Sequence, residues 1–156
     1  MDFPLVSVAV AYDGLNKPDK SLYGPIIELV PLFKHLQDAL EAGDKREAAD
    51  KKPVLLGERL FRSGTATRQE YGGHGLAKGL GHWLLKETAA YGFQGMEISV
   101  AHTAAEKIFL NPPAPFTAKI ISSVDLAEFE MEENGVKTKP CAVCDAPFKK
   151  IYVKFR

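Results

Sequence analysis

Residues Tyr71–Trp83 read Tyr-Gly-Gly-His-Gly-Leu-Ala-Lys-Gly-Leu-Gly-His-Trp, five glycines in thirteen positions, and a stretch with helical spacing runs on from them. Glycine at this density constrains the backbone. It permits left-handed conformations and close approach to a neighbour, but inside a helix each glycine costs about 1 kcal/mol relative to alanine. The run therefore divides into a turn over Gly72–Gly75 and a helix from Leu76 onward. Leu76, Ala77, Leu80, Leu84, Ala89 and Ala90 follow helical spacing, and Gly92 supplies the stop. A helix N-terminus offers unpaired N–H groups and a partial positive charge. Glycines ahead of it let phosphate groups approach the backbone closely. Trp83, between Leu80 and Leu84, is expected in the core.

The rest of the chain supplies a strand before this helix and another after it. Leu5–Tyr12, with Val6, Val8 and Val10 alternating with small residues, reads as a buried strand ended by Asp13-Gly14. Asn16–Lys20 reads as a polar loop, Pro25 as part of a short turn, and Pro31–Ala42 as a helix stopped by Gly43. The helix carries Leu32, Phe33, Leu36, Ala39 and Leu40 on one stripe. Asp44–Lys52 reads as a solvated, charged loop. Val54–Thr67 is extended, and Gly57 and Gly64 within it suggest a bulge or a close backbone approach.

After the long helix, Met96, Ile98, Val100 and His102 alternate with Glu97, Ser99 and Ala101, the pattern of a half-buried strand. Thr103-x-x-Glu106 is a capping box opening a short helix with Ala105, Ile108 and Phe109, which Pro112-Pro113 halts. Lys119–Asp125 reads as a strand that Leu126–Met131 extends, Glu133–Val136 as a turn and Lys150–Phe155 as a closing strand. The order is strand, helix, strand, helix, strand, helix, strand, strand, which predicts an α/β (α+β type) sandwich with a mixed sheet in one domain.

Composition narrows the function classes. The chain of 156 residues is 46% hydrophobic and 26% charged, and Lys plus Arg and Asp plus Glu both number 20. Balanced charge gives no nucleic-acid footprint, and no apolar run approaches a membrane span. The N-terminus lacks a basic leader and carries Asp2, so no secretory signal is expected and the chain reads as cytoplasmic. Cys141 and Cys144 form one CxxC without a second ligand pair, so no metal is expected. Lys149, Lys150, Lys154 and Arg156 read as a solvated basic strand face.

Two phosphate-binding fingerprints fail. No Gly-Lys-Ser/Thr occurs, which excludes a P-loop, and a G-x-G-x-x-G beginning at Gly73 meets Lys78 at its third glycine. The run Thr67–Ala77 instead resembles the acetyl-CoA loop of the GNAT N-acetyltransferase superfamily, Val-x-Pro-x-x-(Arg/Gln)-Gly-x-Gly-x-(Gly/Ala). Thr67 takes the Val place, Gln69 the Pro place and Gly72 the Arg/Gln place, while Gly73, Gly75 and Ala77 match the small positions. Ala105-x-x-Ile108-Phe109 resembles the family's Ala-x-x-Leu-Tyr, with Phe109 where the family often keeps a tyrosine as general acid. Val54–Phe155 repeats the family's order of loop, helix, strand, short helix and two strands, and Leu5–Tyr12 could stand in for its third strand.

The resemblance implies a mixed, mostly antiparallel central sheet with helices on both faces, GNAT-like and N-terminally truncated. Residues 1–53 form a divergent part and residues 54–156 the acetyl-CoA-binding part. It implies acetyl-CoA as co-substrate, a small-molecule amine as acceptor, and direct attack of the amine on the thioester. On this reading Gly73, Gly75 and Ala77 hold the pyrophosphate, and Ala66 and Thr67 pair with the pantetheine arm. Gly72 and Leu76 complete the loop, and His74 and Lys78 add charge near the phosphates. For proton removal His102 and Glu58 are the candidates, His102 because its ordinary pKa suits the task and Glu58 for its place ahead of Thr67. No general acid is named. His102 also reads as a residue bonded to the helix after it. Two other readings remain open: a catalytically impaired CoA-binding remnant, and a module that dimerises through an unpaired edge at Leu5–Tyr12.

Overall fold

A computed structural model describes residues 4–16, 18, 31–53, 55–133 and 135–156. The turn expected around Pro25 and the Asn134 position of the turn over 133–136 lie outside these residues. In chain order the elements are β1 (Ser7–Asp13), α1 (Pro31–Gly43), α2 (Ala48–Lys51), β2 (Arg59–Thr67), a single 3₁₀ turn (Gln69–Tyr71), α3 (Leu76–Ala90), β3 (Gly95–Val100), α4 (Thr103–Leu110), β4 (Thr117–Val124), β5 (Met131–Glu133), β6 (Val136–Thr138) and β7 (Phe148–Lys154).

Five strands form one sheet in the order β1-β2-β3-β7-β4. β2 and β3 run parallel, and the other neighbours are antiparallel. The sheet is therefore mixed and mostly antiparallel, as expected. α3 supplies the crossover that a parallel pair requires. α3 and α4 cover one face, where Leu85, Met96, Ile98, Val100, Phe109, Ile151, Val153 and Phe155 form the main core. α1 covers part of the other, where Leu36 and Leu40 pack with Leu126, Cys141 and Phe148.

The second face departs from the sequence reading. On β3, Glu97 and Ser99 alternate with apolar residues, and alternation of that kind usually marks a solvated face. Glu97 is nevertheless only 2% exposed. Asp44 and Arg46, expected in a solvated loop, fold back over the sheet, and Asp44 is buried. Lys150, expected on a solvated basic strand, is buried as well, while Lys149 on the opposite face pairs with Glu106 of α4 at 2.6 Å. The charges are mutually compensating, and that compensation is what allows a polar sheet face to be covered.

Other departures are local. Among the described residues β1 is an edge strand, not a buried one, and Val8 and Val10 are 37% and 51% exposed on the sheet face that α3 does not cover. Trp83 is exposed, since it projects from the outer side of α3. Leu126–Met131 does not extend β4; a turn intervenes, and β5 pairs with β6 in a separate two-stranded hairpin. The cap of α4 is His102 and not Thr103, because His102 keeps an extended backbone and its Nδ1 accepts from the Ala104 N–H at 3.1 Å. Gly81 lies inside α3 where an added Cβ would stand 3.2 Å from Ile108 and Phe109, so glycine there lets α3 and α4 approach.

Candidate active site

β2 and β3 pair only from Arg59↔Gly95 to Arg62↔Ile98. Beyond Arg62 the strands part. The register between β1 and β2 shifts at the same level: Val10 faces Gly64 and Ala11 faces Arg62, leaving Ser63 as the extra residue. A bulge bends the strand that carries it. Gly64–Thr67 thus stays with β1 while Ser99–Val100 stays with β7. The result is a V-shaped opening at the C-terminal end of a parallel pair, where the edge of β2 turned toward β3 is left without strand partners. An extended ligand arm can pair with such an edge.

The glycine loop closes this end. After β2 the 3₁₀ turn reverses the chain, and Gly72 N–H donates to Gln69 O at 3.0 Å. Gly73 and Gly75 take φ of 79° and 76°, the left-handed region, and no atom lies within 4 Å of the Cβ position of either. Gly75 caps α3, and its carbonyl accepts the first helical hydrogen bond from Gly79 N–H at 2.8 Å. The N–H groups of Leu76, Ala77 and Lys78 precede that bond and have no intrahelical partner. A hollow of about 310 Å³ lies here, lined by Thr67, Tyr71, Gly72, Gly73, Gly75, Leu76, Ala77, Lys78 and Ile108. Of the residues anticipated for the loop, Ala66 and His74 do not line it. Tyr71 and Ile108 do and were not anticipated; the Ile108 contact arises from α4 packing beside α3. Next to it, Lys78, His82, Lys107, Ile108 and Asn111 line a shallower depression.

The two acid–base candidates part company. β2 and β3 are parallel, so His102, just past β3, lies at the same end of the sheet as Thr67. Glu58 precedes β2 and lies roughly 30 Å from Thr67 along the strand, at about 3.3 Å per residue. Its carboxylate accepts from Leu55 N–H at 3.2 Å and stands 3.8 Å from Arg59. His102 thus lies at the loop end of the sheet and Glu58 at the opposite end.

Behind the V, on the α1 side, is a cavity of about 270 Å³ among Tyr12, Phe33, Gln37, Glu41, Phe61, Arg62, Ser63, Glu97, Ser99, Phe148 and Lys150. Tyr12 and Phe61 stack with ring centres 6.0 Å apart. The floor is an ion network. Glu97 Oε1 accepts from Arg59 Nη1 at 2.8 Å and Arg46 Nη2 at 2.9 Å, and its Oε2 stands 3.1 Å from Lys150 Nζ. Arg46 also grips Asp44 at 2.6 Å, and Lys150 pairs with Glu41 at 2.7 Å. Burial pushes the Asp44 carboxyl up, but the hydrogen bonds and charge of Arg46, with Lys150 behind it, outweigh this and hold it at about 2. For Arg46 the two carboxylates outweigh burial and raise its pKa. Burial raises the Tyr152 phenol, whose ring lies under both Arg46 and Arg59. Sequence reading missed this network, although Lys150 and Tyr152 alternate with Ile151 and Val153 on β7 and so mark a second inward face.

No family model and no curated protein matches the sequence. Among solved structures, the C-terminal condensation domain of Ebony in complex with beta-alanyl-dopamine matches 94% of this chain at a TM-score of 0.60 and 10% identity. This chain spans 65% of that domain's length. A Bacillus subtilis acetyltransferase in complex with CoA matches 94% of this chain and 99% of its own at 14% identity and a TM-score of 0.41. A GNAT family acetyltransferase from Elizabethkingia anophelis with acetyl-CoA bound matches 94% and 97% at 11% identity and 0.41. The chain shares the fold of the part of the Ebony condensation domain that it matches; in this chain that fold is a mixed sheet opened between two parallel strands with helices on both faces.

Proposed function

We propose that this chain is an acyl-CoA-dependent N-acyltransferase that transfers an acetyl group from acetyl-CoA to a small amine by direct attack. The observation that carries the reading is the glycine loop. Two left-handed glycines with open space beside them precede the free N–H groups of α3, at the end of the sheet where β2 and β3 part. The sequence resemblance to the GNAT loop supports it, and so does the fold shared with a condensation domain in complex with beta-alanyl-dopamine.

Acetyl-CoA would supply a thioester carbonyl, the electrophile for an amine. Gly73, Gly75 and Ala77 hold the pyrophosphate through backbone N–H groups and the helix dipole. Thr67, with Ala66 beside it, lies along the pantetheine arm, although the Ala66 carbonyl already accepts from Ser7 Oγ at 3.1 Å, and Lys78 adds positive charge, as does His74 when protonated. His102 is the candidate for removing the proton of the amine, which requires its Nδ1 lone pair to leave the Ala104 N–H that it caps here; Glu58 lies at the far end of β2. Phe109 offers no proton to a leaving thiolate, so solvent does so.

Calorimetric titration with acetyl-CoA tests the loop. Binding is expected for the native chain and is lost in Gly75→Trp, whose side chain blocks backbone approach; affinity unchanged in that variant sinks the phosphate cradle. Thiol release with a panel of amines then separates an enzyme from an impaired CoA-binding remnant. A third reading, dimerisation through β1, is favoured by the exposed Val8 and Val10 on a strand that is at the sheet edge among the described residues, and light scattering decides it.

A further inference from the structure

The loop between β6 and β7 carries the chain's two cysteines, Cys141 and Cys144, and nothing in the acyl-transfer reading uses them. Cys144 N–H donates to the Cys141 carbonyl at 2.8 Å, which closes a four-residue turn with one cysteine at each end. An overlapping turn precedes it: Ala142 N–H donates to the Lys139 carbonyl at 3.3 Å, across Pro140. The ends of such a turn have Cα atoms less than about 7 Å apart, and a disulfide joins Cα atoms about 4.4–6.8 Å apart. The backbone therefore holds the two side chains at bridging separation while both thiols are free.

The two sulfurs have different surroundings. Cys141 is 8% exposed and belongs to the core cluster of Leu36, Leu40, Leu126 and Phe148 under α1. Burial pushes its thiol up, and the Cys144 thiol beside it pushes it further through its charge and hydrogen bonding. Among the described residues no helix begins at this turn, so no helix dipole favours a thiolate at Cys141. Cys144 is exposed, next to the fully solvated Val143. Such a dithiol has a fixed order of reaction. The accessible sulfur meets an external reagent, and the buried one resolves the product. A structural zinc site takes about four protein ligands, and among the described residues no group of three or more His, Cys, Asp or Glu could hold a metal. Redox chemistry is what the pair can do by itself.

We propose that Cys141 and Cys144 are a redox-reactive dithiol that a small-molecule disulfide converts to an intrachain disulfide. The Cys144 thiolate attacks one sulfur of oxidised glutathione, forms a mixed disulfide and expels one glutathione thiolate. Cys141 then loses its proton to solvent, and its thiolate attacks Cys144 Sγ and expels the second glutathione. The two protein thiols are oxidised, the glutathione disulfide is reduced to two thiols, and the two protons pass through solvent to the glutathione thiolates. The bridge closes a loop of only four residues, and short loops contribute least to the stability of a disulfide, so the bridge is readily reduced and the step reversible. The site does not depend on the acyltransferase reading. It adjoins the cavity of about 270 Å³, because Phe148 shares a cluster with Cys141 and also lines that cavity.

Mass spectrometry of the full chain tests it. The reduced chain is incubated with an excess of oxidised glutathione, then unfolded and treated with iodoacetamide. The native chain is expected to be lighter by two hydrogens, with no retained glutathione and no alkylation, and dithiothreitol restores two alkylatable thiols. Cys141→Ala, which keeps the core under α1 apolar, is expected to stop at the glutathione adduct on Cys144. Cys144→Ser is expected to react about tenfold or more slowly than Cys141→Ala, because its remaining thiol is buried and protonated. Circular dichroism establishes that each variant is folded, and the native chain decides by itself if one is not. A native chain that retains glutathione, links to a second chain or stays fully alkylatable overturns the proposal, as does equal reactivity of the two folded variants.

Discussion

Arg59 of β2 donates to Glu97 of β3 at 2.8 Å across the parallel pair, with both side chains almost wholly buried. The same carboxylate oxygen takes a second bond from Arg46, fifty-one residues away in the chain. One glutamate thus ties the charged loop after α1 to the strand pair that opens toward the glycine loop.

Neutralising that glutamate is expected to be costly. Glu97→Gln leaves Arg46 and Arg59 buried with reduced compensation, and breaking a buried pair in this way costs about 3–5 kcal/mol. The urea midpoint should fall accordingly. Lys34→Ala serves as the contrast, because its partner Asp38 is exposed and pairs of that kind contribute at most about 0.5 kcal/mol. Equal losses in the two variants would show that the network does not hold the face together.

Stability should also depend on acid through Asp44. Its carboxyl sits at about 2 in the folded chain, against about 3.9 in an unfolded one. A depressed folded pKa contributes stability above the unfolded value that is lost as pH falls through the folded one. The contribution at neutral pH is about 2 kcal/mol, complete above about pH 5 and gone below about pH 2. Denaturant titrations of native chain and Asp44→Asn across that range should show a gap that closes toward low pH.

Two glycines of α3 should respond with opposite sign. Nothing lies within 4 Å of a Cβ added at Gly79, so Gly79→Ala is expected to stabilise by about 0.5–1 kcal/mol. At Gly81 the added atom already meets Ile108 and Phe109 at 3.2 Å, and the branched side chain of Gly81→Val is expected to cost about 1–3 kcal/mol by overpacking. Thermal unfolding of the two variants side by side is the check.

His102 carries two roles that separate experimentally. As the cap of α4 it is replaceable by asparagine, whereas His102→Ala should lose about 1 kcal/mol. As a proton acceptor it is not replaceable, and His102→Asn should lower thiol release by about 100-fold or more with its unfolding midpoint kept. Full turnover in His102→Asn would leave it a cap only.

Much of the framework was legible because it is local. The α1 and α3 boundaries follow from Pro31, Gly43 and Gly92, the bulge beside Gly64 from the glycine itself, and the turn before α3 from Gly73 and Gly75, whose positive φ few other residues adopt. What was misread concerns charge and distance. Asp44, Arg46, Glu97 and Lys150 look solvated one at a time, and Glu58 looks close to Thr67 when counted along the chain.

The sequence by itself determined the succession of strands and helices and the glycine loop, since periodicity and backbone freedom are properties of neighbouring residues. Only the tertiary structure decided which polar residues are buried. An ion pair such as Lys150 with Glu41 joins positions 109 apart, and the cost of burying a charge depends on a partner that packing, not sequence proximity, delivers.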